Sequence, residues 1–317
     1  MDLFPIPLLA PALMVLAMAF AFTTPGRRPG AAPQVAEAAG LGALAAALVS
    51  GVVLILSGPA SATLFGLTVR LDALSAIMLA LVSFVGWIVL RYAATYMDGE
   101  DRQGAFTGWL CATLAAVMLL VTAGALWLFV LAWIATSVFL QRLLVFYPDR
   151  VPARRAARKK WVTARLGDLA LIAAAVVLQM GYGTGQIDAI LAAARDGVAP
   201  DGAIWAAAFL AVAALLKSAQ FPMHGWLTEV METPTPVSAL LHAGVVNAGG
   251  FLLIRFADVM LLSPGVLAVL VMVGGFTALF GGLVMLTQPA VKTSLAWSTV
   301  AQMGFMILQC GLALFPL

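Results

Sequence analysis

Charge is what this sequence has least of. Asp, Glu, Lys and Arg together make up 10% of its 317 residues, against 63% for the apolar class, whereas a soluble domain carries about 25% charged residues. That deficit is larger than a big buried core explains, and the mean hydropathy of +1.05 points the same way; the solvent that remains is a lipid bilayer. Cysteine is scarce as well: Cys111 and Cys310 both lie inside apolar runs, which excludes a disulfide framework and a cysteine-rich metal site. The two histidines, His224 and His242, stand 18 residues apart with no thiol or carboxylate at ligand spacing, so no metal and no cofactor is expected in this chain. Nor does a positive segment precede the first apolar stretch. The chain starts Met1-Asp2-Leu3, and Arg27-Arg28 follow that stretch instead. This is the charge order of a retained first helix with its N-terminus outside, not of a cleaved signal peptide.

What the sequence does have is apolar length. Stretches of about 17 to 25 residues suffice to span a bilayer as helix, and they fall at roughly 3–23, 38–57, 73–96, 105–123, 126–147, 162–180, 203–221, 236–257, 264–286 and 291–315. Pro25, Gly26 and Pro33 break after the first, Gly58-Pro59 after the second, and Gly181, Gly183 and Gly185 after the sixth. A membrane β-barrel predicts alternating segments of about ten residues, whereas these runs are continuous and twice as long. The expectation is an all-α, polytopic membrane helix bundle of about ten transmembrane helices.

The few charges are unevenly placed. Eight of the 17 Lys and Arg residues fall between Arg142 and Arg165. A nucleic-acid face does not suit a basic run wedged between two hydrophobic segments; a cytoplasmic loop does. The loop after the sixth span holds Asp188, Arg195, Asp196 and Asp201 and is poor in positive charge. Both ends of the count therefore predict an N-terminus outside. The last residues, Gln309 to Leu317, stay apolar with no polar tail. Either the tenth helix ends flush at the outer face or the polypeptide continues, and the second is the expectation.

Ionisable groups at bilayer depth are functional candidates by default, because they are costly there unless solvated or paired. The segment KSAQFPMHGWLTEVMETPTPVSALLH, Lys217 to His242, holds most of them. Lys217 ends an apolar run and reads either as a lysine that loads and unloads a proton or as one that snorkels to the interface. Pro222 removes a backbone donor and predicts a kink or stop, the interrupted helix that lines polar cavities in carriers. Lys217, Gln220 and His224 share a face only if the helix continues through that proline. Glu229 and Glu232 are about one turn apart and fit either a proton path or a solvated cytoplasmic loop. His242 sits about two turns inside the next helix and reads as a relay element or as a plain interhelical hydrogen-bonding group. Asp168 follows Arg165 by three residues, as an ion pair or a path carboxylate, and Lys292 follows Pro289 at the mouth of the last span, where a positive loop accounts for it equally well.

The segment from Lys217 to His242 strongly resembles the signature of the antiporter-like membrane subunits of respiratory complex I and of the Mrp-type cation/proton antiporters. LDALSAIML at Leu71–Leu79, AARKKWVTARLGD ending at Asp168 and VKTSLAWSTVAQMGFM at Val291–Met306 agree with the same family. The resemblance implies a single transmembrane domain over 1–317: N-terminal helices over 1–100, a first five-helix repeat over 104–257 and an incomplete second repeat over 264–317. It also implies a proton path in which Lys217 takes the place of the lysine on an interrupted helix and His242 that of the central histidine, with Asp168 and Glu229 as its acids. One departure stands out. The family's fifth helix carries a glutamate after a tryptophan, and here Trp133 is followed by Ile134, with no carboxylate between Asp101 and Asp149.

LFVLAWIATS together with ARKKWVTARLGD looks most like the membrane subunits of DAB inorganic-carbon accumulation complexes. That resemblance implies a cation-conducting, non-enzymatic subunit of a bacterial inner membrane. Its partner would be a soluble, zinc-containing, carbonic-anhydrase-like subunit on the cytoplasmic face, with the zinc in the partner. The alternatives are a proton-pumping L-type subunit of complex I, an Mrp-type sodium/proton antiporter, and a non-conducting membrane scaffold for a soluble enzyme.

Overall fold

A computed structural model describes residues 6–64, 66–147, 151–229 and 233–315. In chain order its helices are α1 (Ile6–Thr23), α2 (Ala32–Ser57), α3 (Ala73–Tyr96), α4 (Gln103–Thr122), α5 (Leu126–Leu144), α6 (Val151–Tyr182), α7 (Ile187–Arg195), α8 (Ala203–Lys217), α9 (Gly225–Thr228), α10 (Thr235–Leu240), α11 (Ala248–Arg255), α12 (Ala257–Leu261), α13 (Pro264–Leu286) and α14 (Val291–Gly311). Among the described residues, seven are long and apolar enough to cross a bilayer: α1 to α6 and α13. The other three expected spans fall short of that measure. α8 has only 15 residues, the stretch from Thr235 to Leu261 is broken into short helices, and α14 is more polar.

The chain forms two compact units. The first comprises residues 1–146 and 234–241. Its buried centre is α4, against which α1, α3 and α5 pack. α3 starts where Asp72 caps it by accepting a hydrogen bond from the Ser75 amide at 2.8 Å. Before it stands an antiparallel hairpin of β1 (Ala60–Leu64) and β2 (Leu67–Leu71), which the all-helical expectation did not include.

The second unit comprises residues 147–233 and 242–317. Here α6 lies along α8, and α13 along α14. The α13–α14 pair meets backbone to backbone, because a Cβ on Gly304 would stand 2.5 Å from the Ala278 nitrogen and one on Gly274 2.5 Å from the Leu308 nitrogen. Small residues allow such close approach where helices pack in lipid.

The main correction concerns α6. The basic stretch before residue 162 was expected to be a cytoplasmic loop, yet the helix runs unbroken from Val151 for 32 residues. Ala, Arg and Lys are good helix formers, and neither glycine nor proline interrupts them between Ala153 and Leu166. Ala156, Ala157, Lys160, Gly167, Asp168, Ala170, Leu171, Ala174, Ala175 and Leu178 are its buried residues where side chains are described, a helical stripe that continues through the charged half.

Candidate functional site

Every described candidate belongs to the second unit. Lys217 is the last residue of α8 and only 9% exposed. The helix does not reach Pro222, so Lys217, Gln220 and His224 share no helical face. Instead Ala219 adopts φ 51° and the Phe221–Pro222 peptide is cis. The polar groups freed by the break are largely re-satisfied from within the unit. The Ser218 hydroxyl donates to the Val246 carbonyl (3.3 Å), the Gln220 side-chain amide to the Ser218 carbonyl (2.9 Å), and the Phe221 amide to the Thr277 hydroxyl (3.1 Å). This is what permits irregular backbone at bilayer depth. α11 lies close beside the break, since a Cβ on Gly249 would come 2.5 Å from the Ala214 carbonyl and would overlap the Ser218 hydroxyl.

Around Lys217 the unit gathers a cluster of charge. Asp168 on α6 is 3% exposed and paired with Arg165 one turn earlier at 2.6 Å. Lys160, on the same helix, is 5% exposed and lies within electrostatic reach of Lys217, Asp168 and Arg165. Lys217 in turn lies within reach of Asp168 and Arg165. Lys160 is the residue that sequence reasoning missed, having counted it among solvated loop cations. The buried stripe of α6 was the signal: it holds Lys160 and Asp168 together and leaves Lys159 exposed.

The remaining candidates are distributed elsewhere in the unit. His242 stands in a π-helical turn, Leu241–Val245, which interrupts the expected continuous helix; such turns recur at functional sites. It is half-buried, its Nδ1 has no hydrogen-bond partner, and it lies within electrostatic reach of Lys292 in the first turn of α14. The Ser218–Val246 bond ties this segment to the break that comes after Lys217. His224 precedes α9 and stacks on Phe221 with ring centroids 5.6 Å apart, beside Phe280 and Trp297. Glu229 closes α9 and pairs with Lys159. Glu232 lies outside the described residues. Among the described residues no group of three or more His, Cys, Asp and Glu could hold a metal ion.

Chemically, the Lys217 cluster opposes three cationic side chains with one carboxylate. An excess of buried charge of one sign is costly, so with both lysines protonated the loss of a proton from either one lowers the excess of cations over the Asp168 carboxylate. A site of this composition can hold and release a proton.

Known proteins resemble this chain in sequence and in fold. The family described as NADH:quinone oxidoreductase/Mrp antiporter, transmembrane, matches residues 123–315, and that of the N-terminus of complex I chain 5 matches residues 60–107. A probable inorganic carbon transporter subunit DabB of Hydrogenovibrio crunogenus is 43% identical over 258 residues, covering 80% of this chain and 49% of the relative. NADH-quinone oxidoreductase subunit L of Escherichia coli is 36% identical over 249 residues, covering 78% of this chain and 41% of the relative. A chain in the solved Mrp complex of a Dietzia species superposes with a TM-score of 0.79 at 28% identity, covering 95% of this chain and 34% of that one. The chain thus spans about half the length of the curated relatives it matches.

Proposed function

Because the chain belongs to the NADH:quinone oxidoreductase/Mrp antiporter transmembrane family, we propose that it is a proton-conducting membrane subunit whose conducting element is the Lys160–Arg165–Asp168–Lys217 cluster. One observation carries this reading: two buried lysines both sense the buried Asp168 carboxylate near the point where α8 breaks off. In the proposed cycle one proton alternates between Lys160 and Lys217, with Asp168 and its Arg165 partner holding the intervening charge. His242 and Lys292 form the next station, reached through the Ser218–Val246 contact. Glu229, paired with Lys159, His224 and Glu232 belong to the cytoplasmic mouth. Residues 104–257 then make up a first five-helix repeat and 264–317 the start of a second, in a bacterial inner membrane with the N-terminus outside.

The further reading, that conduction drives inorganic-carbon uptake through a soluble zinc-containing carbonic-anhydrase-like subunit on the cytoplasmic face, is supported by the likeness to DabB-named proteins at 43% and 45% identity. Ile134, where complex I relatives carry an acid, also favours it over redox-driven pumping.

The test uses the native full-length protein with its co-purifying subunits. Lys217→Ala is expected to abolish proton flux in proteoliposomes while the assembly stays intact on size exclusion. Undiminished flux would overturn the conducting role and leave a membrane scaffold. For the partner, zinc with no chromophore is expected in the purified assembly; flavin or iron–sulfur absorbance would sink the carbon-uptake reading in favour of a complex I module.

A further inference from the structure

Beside the break in α8, but outside the charge cluster, lies a cavity of about 540 Å³, within the range of roughly 300–1,000 Å³ typical of small-molecule sites. One wall is α6, which contributes Arg155, Arg158, Lys159 and Val162; the other includes Met223 and Trp226. Three features of this cavity point to one kind of ligand.

The first is charge. Lys159 is paired with Glu229, but among the described residues Arg155 and Arg158 have no carboxylate partner and are exposed. The second is an unsatisfied donor: Trp226 is 5% exposed, lines the cavity, and its indole N–H has no hydrogen-bond partner. A buried indole N–H normally finds one. The third is an apolar stripe further along the helix. Arg155, Arg158, Lys159, Val162, Leu166 and Leu169 recur at helical spacing on one face of α6, and the last three are exposed apolar side chains. The same face passes from cations to bare hydrocarbon within two turns.

We propose that this cavity is a binding site for the phosphate headgroup of an anionic phospholipid. Arg155 and Arg158 receive the phosphate, the Trp226 indole donates to one of its oxygens, and an acyl chain lies along Val162, Leu166 and Leu169. A free anion would use the arginines and the indole but not the apolar stripe. Clustered cations beside a membrane helix are also the setting in which anionic headgroups are held.

The test delipidates the full-length protein in detergent and titrates it with phosphatidylglycerol, phosphatidylcholine or inorganic phosphate. Native mass spectrometry counts bound lipid, and Trp226 emission is read against a Trp226→Phe control. Phosphatidylglycerol is expected to bind with a change in Trp226 emission and phosphatidylcholine to bind far more weakly. Arg155→Gln/Arg158→Gln is expected to lower the phosphatidylglycerol affinity about 30-fold, on the usual contribution of each cation near an anionic surface. Arg155→Lys/Arg158→Lys, which keeps both charges, should retain the lipid preference and guards against a glutamine variant that fails to fold. Equal binding of phosphatidylcholine, inorganic phosphate that saturates the site and displaces the lipid, or unchanged affinity in a folded glutamine variant would each overturn the proposal.

Discussion

Replacing Asp168 by Asn keeps its shape and removes the only carboxylate identified in the Lys217 cluster. Arg165, Lys160 and Lys217 then lose the buried carboxylate that all three sense. Removing one partner of a fully buried ion pair costs about 3–5 kcal/mol. Here Arg165 keeps 29% side-chain exposure, so water recovers part of that, and the expected loss of stability is about 2–3 kcal/mol. Proton flux should fall to background, since the charge that links the two lysines is gone. The sharper measurement is a double-mutant cycle with Lys160→Gln. Each single change breaks the attraction between Lys160 and Asp168, whereas the double variant removes both of its members together and so loses that attraction only once. It should therefore be more stable than the sum of the two effects by at least about 1 kcal/mol, a coupling typical of residues in one network. Thermal unfolding of the purified protein in detergent, followed by fluorescence size exclusion, reads all four corners. Additivity within about 0.3–0.5 kcal/mol would refute the reasoning, because it would mean that Lys160 and Asp168 do not sense each other.

Three further changes probe the frame that holds the cluster. Thr277→Val removes the acceptor of the Phe221 amide and should cost about 0.5–1.5 kcal/mol, the net worth of a part-buried hydrogen bond, with a matching drop in the unfolding midpoint. Gly249→Ala drives a Cβ against the Ala214 carbonyl and the Ser218 hydroxyl; the protein should accumulate poorly, and adding Ser218→Ala should rescue it only in part, because the carbonyl clash persists. Gly304→Leu forces α13 and α14 apart where their backbones meet and should lower the yield of folded protein in membranes by more than Gly282→Leu, at a position on α13 where an added Cβ meets nothing within 4 Å.

The helices were legible where apolar length and a break coincided. α1 to α5 and α13 end near the prolines, glycines and charges that the sequence displays. The hairpin of Ala60–Leu64 and Leu67–Leu71 was not, because two five-residue strands are too short for alternation to stand out. The start of α6 was misread because its charges were weighed by sign rather than by position on a helix. Lys160 and Lys159 are adjacent and identical in type, yet one is buried and the other exposed. The π-helical turn at His242 carries no local signature either. It lies next to the place where Gly249 lets α11 close on α8, a tertiary contact that no spacing rule anticipates. The break at Pro222 was foreseen, but its position was not: α8 stops at Lys217 and leaves that side chain at a helix end instead of on a continuous face.

The length of α6 has a mechanical meaning. Its 32 residues, at 1.5 Å each, make a rod about 48 Å long, well over the roughly 30 Å of a hydrocarbon core. Arg155 and Asp168 are 13 residues apart on it, about 20 Å of uninterrupted backbone. With no proline or glycine hinge between Arg155 and Leu166 to absorb a tilt, a tug on the arginine end is delivered at Lys160 and Arg165, the partner of Asp168. Whatever grips that end of the rod has a hand on the buried charge cluster without ever touching it.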